Sequence, residues 1–209
     1  KEYDVNFELS TRYDLGPYRL KQEIEVVKQL GGSLIVCGST KTTDLPIKRQ
    51  VQDFLDSLKP TAQLAKAAGI RICIENHSSS LINSPDSLRY YSELNTEPAL
   101  GIALAPYHLP QDEQLIAELI ETLGANLALF YAWEHGMGCH KPFPMPLEHM
   151  QLPGQGTLDF APIVAALTNI KYSGYTEIFM HPTPRGVPIL ETADLVSAEI
   201  NKARAYLSR

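Results

Sequence analysis

At 209 residues, 44% hydrophobic and 20% charged, the chain has the composition of one ordinary globular domain (1–209) with room for a sizeable core. A net charge of −6 without a basic cluster argues against nucleic acid and against an anionic membrane surface, both of which draw affinity from concentrated Lys and Arg. The three cysteines, Cys37, Cys73 and Cys139, are odd in number and widely spaced, so they read as free thiols in a reducing, cytoplasmic setting rather than as a disulfide framework.

No stretch has the length of a membrane-spanning helix, and Lys1-Glu2-Tyr3-Asp4 lacks a signal-like apolar core. The sequence begins without Met, which fits a start after a processed or missing segment.

Residues 4–9 alternate polar and apolar side chains, which predicts a strand with one exposed face. Helical spacing follows over residues 20–30 and stops at Gly31-Gly32. Residues 33–37 form an apolar strand, and residues 47–68 a long amphipathic helix that Pro60 either kinks or splits. The run Arg71-Ile72-Cys73-Ile74-Glu75-Asn76-His77 is too short for a helix and rich in β-branched residues. It follows a Gly69 stop, so it predicts a buried strand that delivers Glu75 at its carboxyl end.

Ser84-Pro85 then marks a helix start, with Ser84 as N-cap and Pro85 in the first turn. Further strands are expected at 100–104, 127–133 and 175–180, and further helices at 85–94, 111–123, 160–167 and 191–207. A long loop from Glu134 to about residue 157, carrying Pro142, Pro144, Pro146 and Pro153, has the length that usually accompanies function. Strand and helix alternate six times, which means an α/β fold with parallel strands. No Gly-x-Gly-x-x-Gly follows a strand, and Gly154-Gln155-Gly156 precedes a helix instead, so no nucleotide cofactor is expected.

Four stretches taken together resemble the xylose isomerase-like TIM barrels, which include sugar and sugar-phosphate isomerases and epimerases, inosose dehydratases and an endonuclease IV branch. They are Ile74-Glu75-Asn76-His77, residues 101–108 ending in Ala105-Pro106-Tyr107-His108, residues 153–160 beginning Pro153-Gly154-Gln155-Gly156, and Gly174-Tyr175. The resemblance covers the chain from its first strand onward. It implies a (β/α)₈ barrel of which the six units are strands three to eight, with two units preceding Lys1.

It also implies a metal-binding glutamate at Glu75. At the next strand the family places Asp-x-x-His, and this chain has Ala105 with His108 retained. At the following strand the family places a metal-binding His and a Glu three residues on, and this chain has Tyr131 and Glu134. The last strand, where the family ends in a glutamate, ends here in Met180-His181. Hard ions such as Mg²⁺ or Mn²⁺ want several oxygen ligands, whereas a His-containing remnant would favour Zn²⁺.

The candidate catalytic residues are therefore Glu75, His108 and His181, with Glu75 and His181 as candidate ligands of a divalent metal. His77, Trp133, Glu134 and Arg185 are candidates for substrate contact. His77 either bonds a hydroxyl or caps the next segment, and Trp133 either packs in the core or stacks on a sugar ring. Arg185, in a proline-stiffened turn, suits a carboxylate or phosphate. The Cys139-His140 pair lacks the spacing of a structural zinc site, and His149 reads as a solvated loop residue.

The function expected from the resemblance is isomerisation or epimerisation of a sugar, polyol or sugar acid by proton transfer next to a carbonyl. The alternatives are a non-catalytic carbohydrate-binding descendant and a dehydratase-like lyase. The expected partner is a small carbohydrate-like molecule, with neither nucleic acid nor membrane and with homo-oligomerisation left open.

Overall fold

The structure is a computed structural model that describes residues 5–40, 42–135, 145–179 and 190–209. Six strands alternate with six α-helices: β1 Leu9–Thr11, α1 Lys21–Leu30, β2 Leu34–Cys37, α2 Ile47–Ala68, β3 Arg71–Glu75, α3 Pro85–Leu94, β4 Leu100–Leu104, α4 Glu113–Leu123, β5 Leu127–Ala132, α5 Ala161–Asn169, β6 Tyr175–Ile178 and α6 Ala193–Leu207. The strands are parallel and lie in one sheet in chain order, β1 to β6. No described helix is long and apolar enough to cross a membrane.

The chain divides into two compact units, the first comprising residues 1–103 and 125–129, the second residues 104–124 and 130–209. In the first unit, Leu9 pairs with Leu34, Leu34 with Arg71, and Ile72 with Leu100, so the registers step regularly from β1 to β4. Strands β2, β3 and β4 are buried almost end to end, as parallel strands covered on both faces must be. The Cys37 and Cys73 thiols are free and buried, and desolvation raises both, Cys73 to about 12. They are apolar filling, not nucleophiles.

Helix ends follow local chemistry. Gly31 and Gly69 adopt left-handed φ of 83° and 75° just past α1 and α2, where their N–H groups close on the last carbonyls. Ser84 caps α3 by accepting from the Ser87 N–H, and Ser87 Oγ returns a bond from the Ser84 N–H. Pro60 neither splits nor ends α2, which is continuous over 22 residues.

Two strands differ from the sequence expectation by more than one residue. The first strand is Leu9–Thr11 rather than 4–9, because the ladder to β2 starts only where the Glu8 carbonyl receives the Ser33 N–H at 2.9 Å. Alternation of side chains cannot say where the partner begins. The last strand ends at Ile178, not at Met180, and Met180 and His181 lie outside the described residues.

At the amino end of β3, Arg71 Nη2 donates to the Leu100 and Ala125 carbonyls at 3.3 and 2.7 Å. Its guanidinium passes over Gly101, where an added Cβ would stand 2.6 Å from Ala128 Cβ and 2.8 Å from Arg71 Nε. Gly101→Ala is therefore expected to destabilise the chain by about 1–3 kcal/mol through overpacking. Chemical denaturation measures this, and an unchanged midpoint would contradict the close approach.

Candidate functional site

In the first unit, β3 ends in Glu75 and Asn76, which are 4% and 0% exposed, followed by a half-buried His77. Glu75 lies opposite Ala103 in the ladder. The loop beyond is tightly built. His77 N–H donates to the Ile82 carbonyl at 2.9 Å, and Ser80 Oγ returns to the His77 carbonyl at 2.9 Å. His77 Nδ1 accepts the Ser79 N–H at 3.3 Å and lies 2.9 Å from Ser79 Oγ, which assigns the ring proton of a neutral His77 to Nε2. Leu81 N–H and Ile82 N–H reach the Thr40 carbonyl and Ser39 Oγ at 2.7 and 3.0 Å, so the loops after β2 and β3 hold each other.

In the second unit, chemistry gathers after β4 and β5. Pro106–His108 forms a 3₁₀ turn directly after Ala105. Gln111 braces this turn by donating to the Pro106 and Leu109 carbonyls at 2.8 and 2.9 Å while its Oε1 accepts the His135 N–H at 2.8 Å. Trp133, 3% exposed, stacks on Tyr107 with ring centroids 3.7 Å apart and planes at 11°. Its indole N–H donates to Gln151 Oε1 at 2.8 Å, and the next residue's N–H donates to the Gln151 carbonyl at 3.1 Å. One glutamine thereby fixes both Trp133 and Glu134. Neither Gln111 nor Gln151 stood out in the sequence, where an isolated glutamine carries no signal.

Glu134 is fully buried. Its Oε2 accepts the N–H groups of Thr157 and Leu158, each at 2.8 Å, while Oε1 has no hydrogen-bond partner among the described residues. A Cβ at Gly156 would collide with the Glu134 carboxyl and the Met150 carbonyl, so only glycine lets the loop close over the acid. The Gly154-Gln155-Gly156 run thus lies against the Glu134 side chain. Burial pushes the Glu134 carboxyl up to about 7, opposed by the two N–H bonds. Glu177 in β6 is also raised by burial.

His108 is half-buried and edge-on to Trp133, with centroids 5.5 Å apart. His181, Arg185, Cys139 and His140 lie outside the described residues. His149 belongs to a 3₁₀ turn, Met145–Gln151, and is half-buried rather than solvated.

The sequence profile of the xylose isomerase-like TIM barrel family matches residues 15–201. The chain belongs to that family. Among curated protein sequences none matches. Among solved structures, a D-allulose 3-epimerase from Methylomonas sp. is 18% identical with a TM-score of 0.72, the match covering 99% of this chain and 79% of that one. The 3-keto-D-glucoside 4-epimerase YcjR from E. coli is 19% identical with a TM-score of 0.70, covering 99% and 80%. The IolI protein with a bound zinc atom is 18% identical with a TM-score of 0.67, covering 90% and 67%. At such identities the likeness is one of fold.

The described residues do not supply a family-type metal site. No three His, Cys, Asp or Glu among them stand together as a ligand group. Ala105 presents a buried methyl group, and the Tyr131 ring packs edge-on against Phe179 at 5.7 Å.

The raised Glu134 carboxyl fixes a pH dependence. The folded state holds this proton up to about pH 7, whereas the unfolded chain releases it near 4.5. Folded chains therefore bind more protons in that window, and stability falls as pH rises through it, by at most about 1.4 kcal/mol per pH unit from this group. Glu134→Gln keeps an oxygen for the Thr157 and Leu158 N–H groups but cannot ionise. Its stability curve is expected to be flatter between pH 4.5 and 7 than that of the unaltered chain, in which Glu177 contributes in the same direction. Parallel curves from denaturation at several pH values would contradict the assignment.

Proposed function

We propose that this protein acts on a small sugar, polyol or sugar acid by moving a proton next to a carbonyl, as an isomerase or epimerase does. Glu134 is the observation that carries the reading. One of its oxygens is anchored by two backbone donors, the other is buried without a partner among the described residues, and burial pushes its carboxyl up to about 7. A general acid/base is most effective when its pKa lies close to the working pH.

In the proposed reaction, ionised Glu134 takes the proton from the carbon beside the carbonyl. The C–H electron pair becomes the C=C bond of an enediol-type intermediate, and the carbonyl oxygen gains negative charge. His108, held on its proline-flanked turn, donates a hydrogen bond to that oxygen. Return of the proton to the former carbonyl carbon, with the adjacent hydroxyl proton passing to the oxyanion, gives isomerisation, and delivery of a solvent-derived proton to the opposite face of the same carbon by a second acid gives epimerisation. Trp133 forms the apolar wall of the site. In the first unit, Glu75 is a second acid/base candidate and His77 a hydroxyl contact through Nε2. Arg185, whose planar guanidinium suits a carboxylate or phosphate, is a candidate contact for an anionic group of the substrate.

The replacement of expected ligands by Ala105 and Tyr131 favours one other reading, a descendant that binds a carbohydrate without transforming it. Solvent isotope exchange separates the two. Ketohexoses and ketopentoses incubated with the protein in D₂O are expected to gain deuterium beside the carbonyl. Glu134→Gln is expected to slow that exchange at least about 100-fold, in the range of a lost general base. Binding by calorimetry with no exchange across the series would leave the non-catalytic reading in place.

A further inference from the structure

We propose that the ends of β4, β5 and β6 are joined by an aromatic tie where the family implies ligands of a shared metal ion, and that the site formed by the described residues of this unit handles its ligand without a divalent cation. The inference rests on the proposed reaction only for the identity of the ligand.

Rings from all three strand ends form one chain of contacts. Tyr107 follows β4, Tyr131 and Trp133 stand at the end of β5, and Phe179 follows β6. Phe179 lies edge-on to Trp133 at 4.8 Å and 75° and to Tyr131 at 5.7 Å and 67°. Trp133 stacks on Tyr107, and Tyr107 in turn meets His135 edge-on at 4.6 Å and 68°. Offset stacks and edge-to-face pairs are the attractive arrangements of aromatic rings, so the cluster is cohesive in itself.

A cation needs the opposite environment. Divalent ions are held by oxygen, nitrogen or sulfur atoms at about 2.0–2.6 Å, themselves oriented by further hydrogen bonds. Here the ring faces are packed against one another, Tyr131 and Trp133 are 4% and 3% exposed, and the side chain at Ala105 is a fully buried methyl. A neutral Tyr131 phenol is in any case a weak ligand, its proton leaving only near pH 10. Glu134 follows Trp133 directly, and two N–H donors already occupy one of its oxygens. The remaining oxygen suits a single hydroxyl donor from a neutral polyhydroxy compound. Three strand ends are thus held by dispersion and ring electrostatics instead of by charge around an ion.

The test is metal analysis of the purified full chain combined with scanning calorimetry. Less than about 0.1 equivalent of transition metal is expected, with a melting temperature unchanged by EDTA or by about 1 mM ZnCl₂, MnCl₂ or MgCl₂. A site with a Kd of about 10 μM would raise the melting temperature by several degrees at that concentration. Such a rise, or a stoichiometric metal, would overturn the proposal.

The exchange assay run in EDTA and again with MnCl₂ separates this inference from the reaction on which it draws. Equal exchange in both supports the two together. Exchange only with Mn²⁺ overturns the metal-free site and leaves the reaction standing. Absence of exchange in both, with no ion bound, overturns the reaction and leaves the metal-free site.

Discussion

A carboxyl group taken out of water must either find donors or keep its proton, and Glu134 does half of each. Two backbone N–H groups converge on one oxygen, and the other oxygen has no hydrogen-bond partner among the described residues, so burial raises the group toward its protonated form. The surrounding loop is built to this requirement. Gly156 is small enough to let the backbone approach, Gln151 holds the main chain at Glu134 and the indole of Trp133 together, and Gln111 ties His135 to the turn after β4.

The first unit meets a different constraint with the same means. Parallel strands buried on both faces leave little room for polar groups until the chain emerges at the carboxyl ends, where the polar residues Glu75, Asn76 and His77 arrive in succession. There the backbone is satisfied locally, by Ser39, Thr40, Ser80 and Ile82, so the loop is pre-set without help from a ligand. The opposite ends of the strands carry the stabilising work, with Arg71 lying over Gly101 and capping two carbonyls.

Much of this architecture is legible in the residues because it depends on short-range chemistry. The span of α2, the Ser84 cap and the position of β4 follow from periodicity, side-chain capping and apolar runs. What fails is whatever a distant partner decides. The start of β1 is set by where Glu8 meets Ser33, and the end of β6 by where pairing stops. The same division runs through the site. The family resemblance singles out Glu134, three residues after Tyr131, as a substrate contact, but neither its burial nor its two N–H donors is announced there. The Tyr107 to Trp133 stack and the two bracing glutamines are long-range pairings that no local pattern announces.

The stacked indole has a practical consequence. Trp133 is the sole tryptophan of the chain and lies in the second unit, so every photon of tryptophan emission originates beside Glu134. An unfolding curve recorded by that emission follows the second unit, while far-ultraviolet dichroism counts helices of both. Coincident curves would mean that the units unfold as one cooperative body, and a gap between them would measure how independently each holds together.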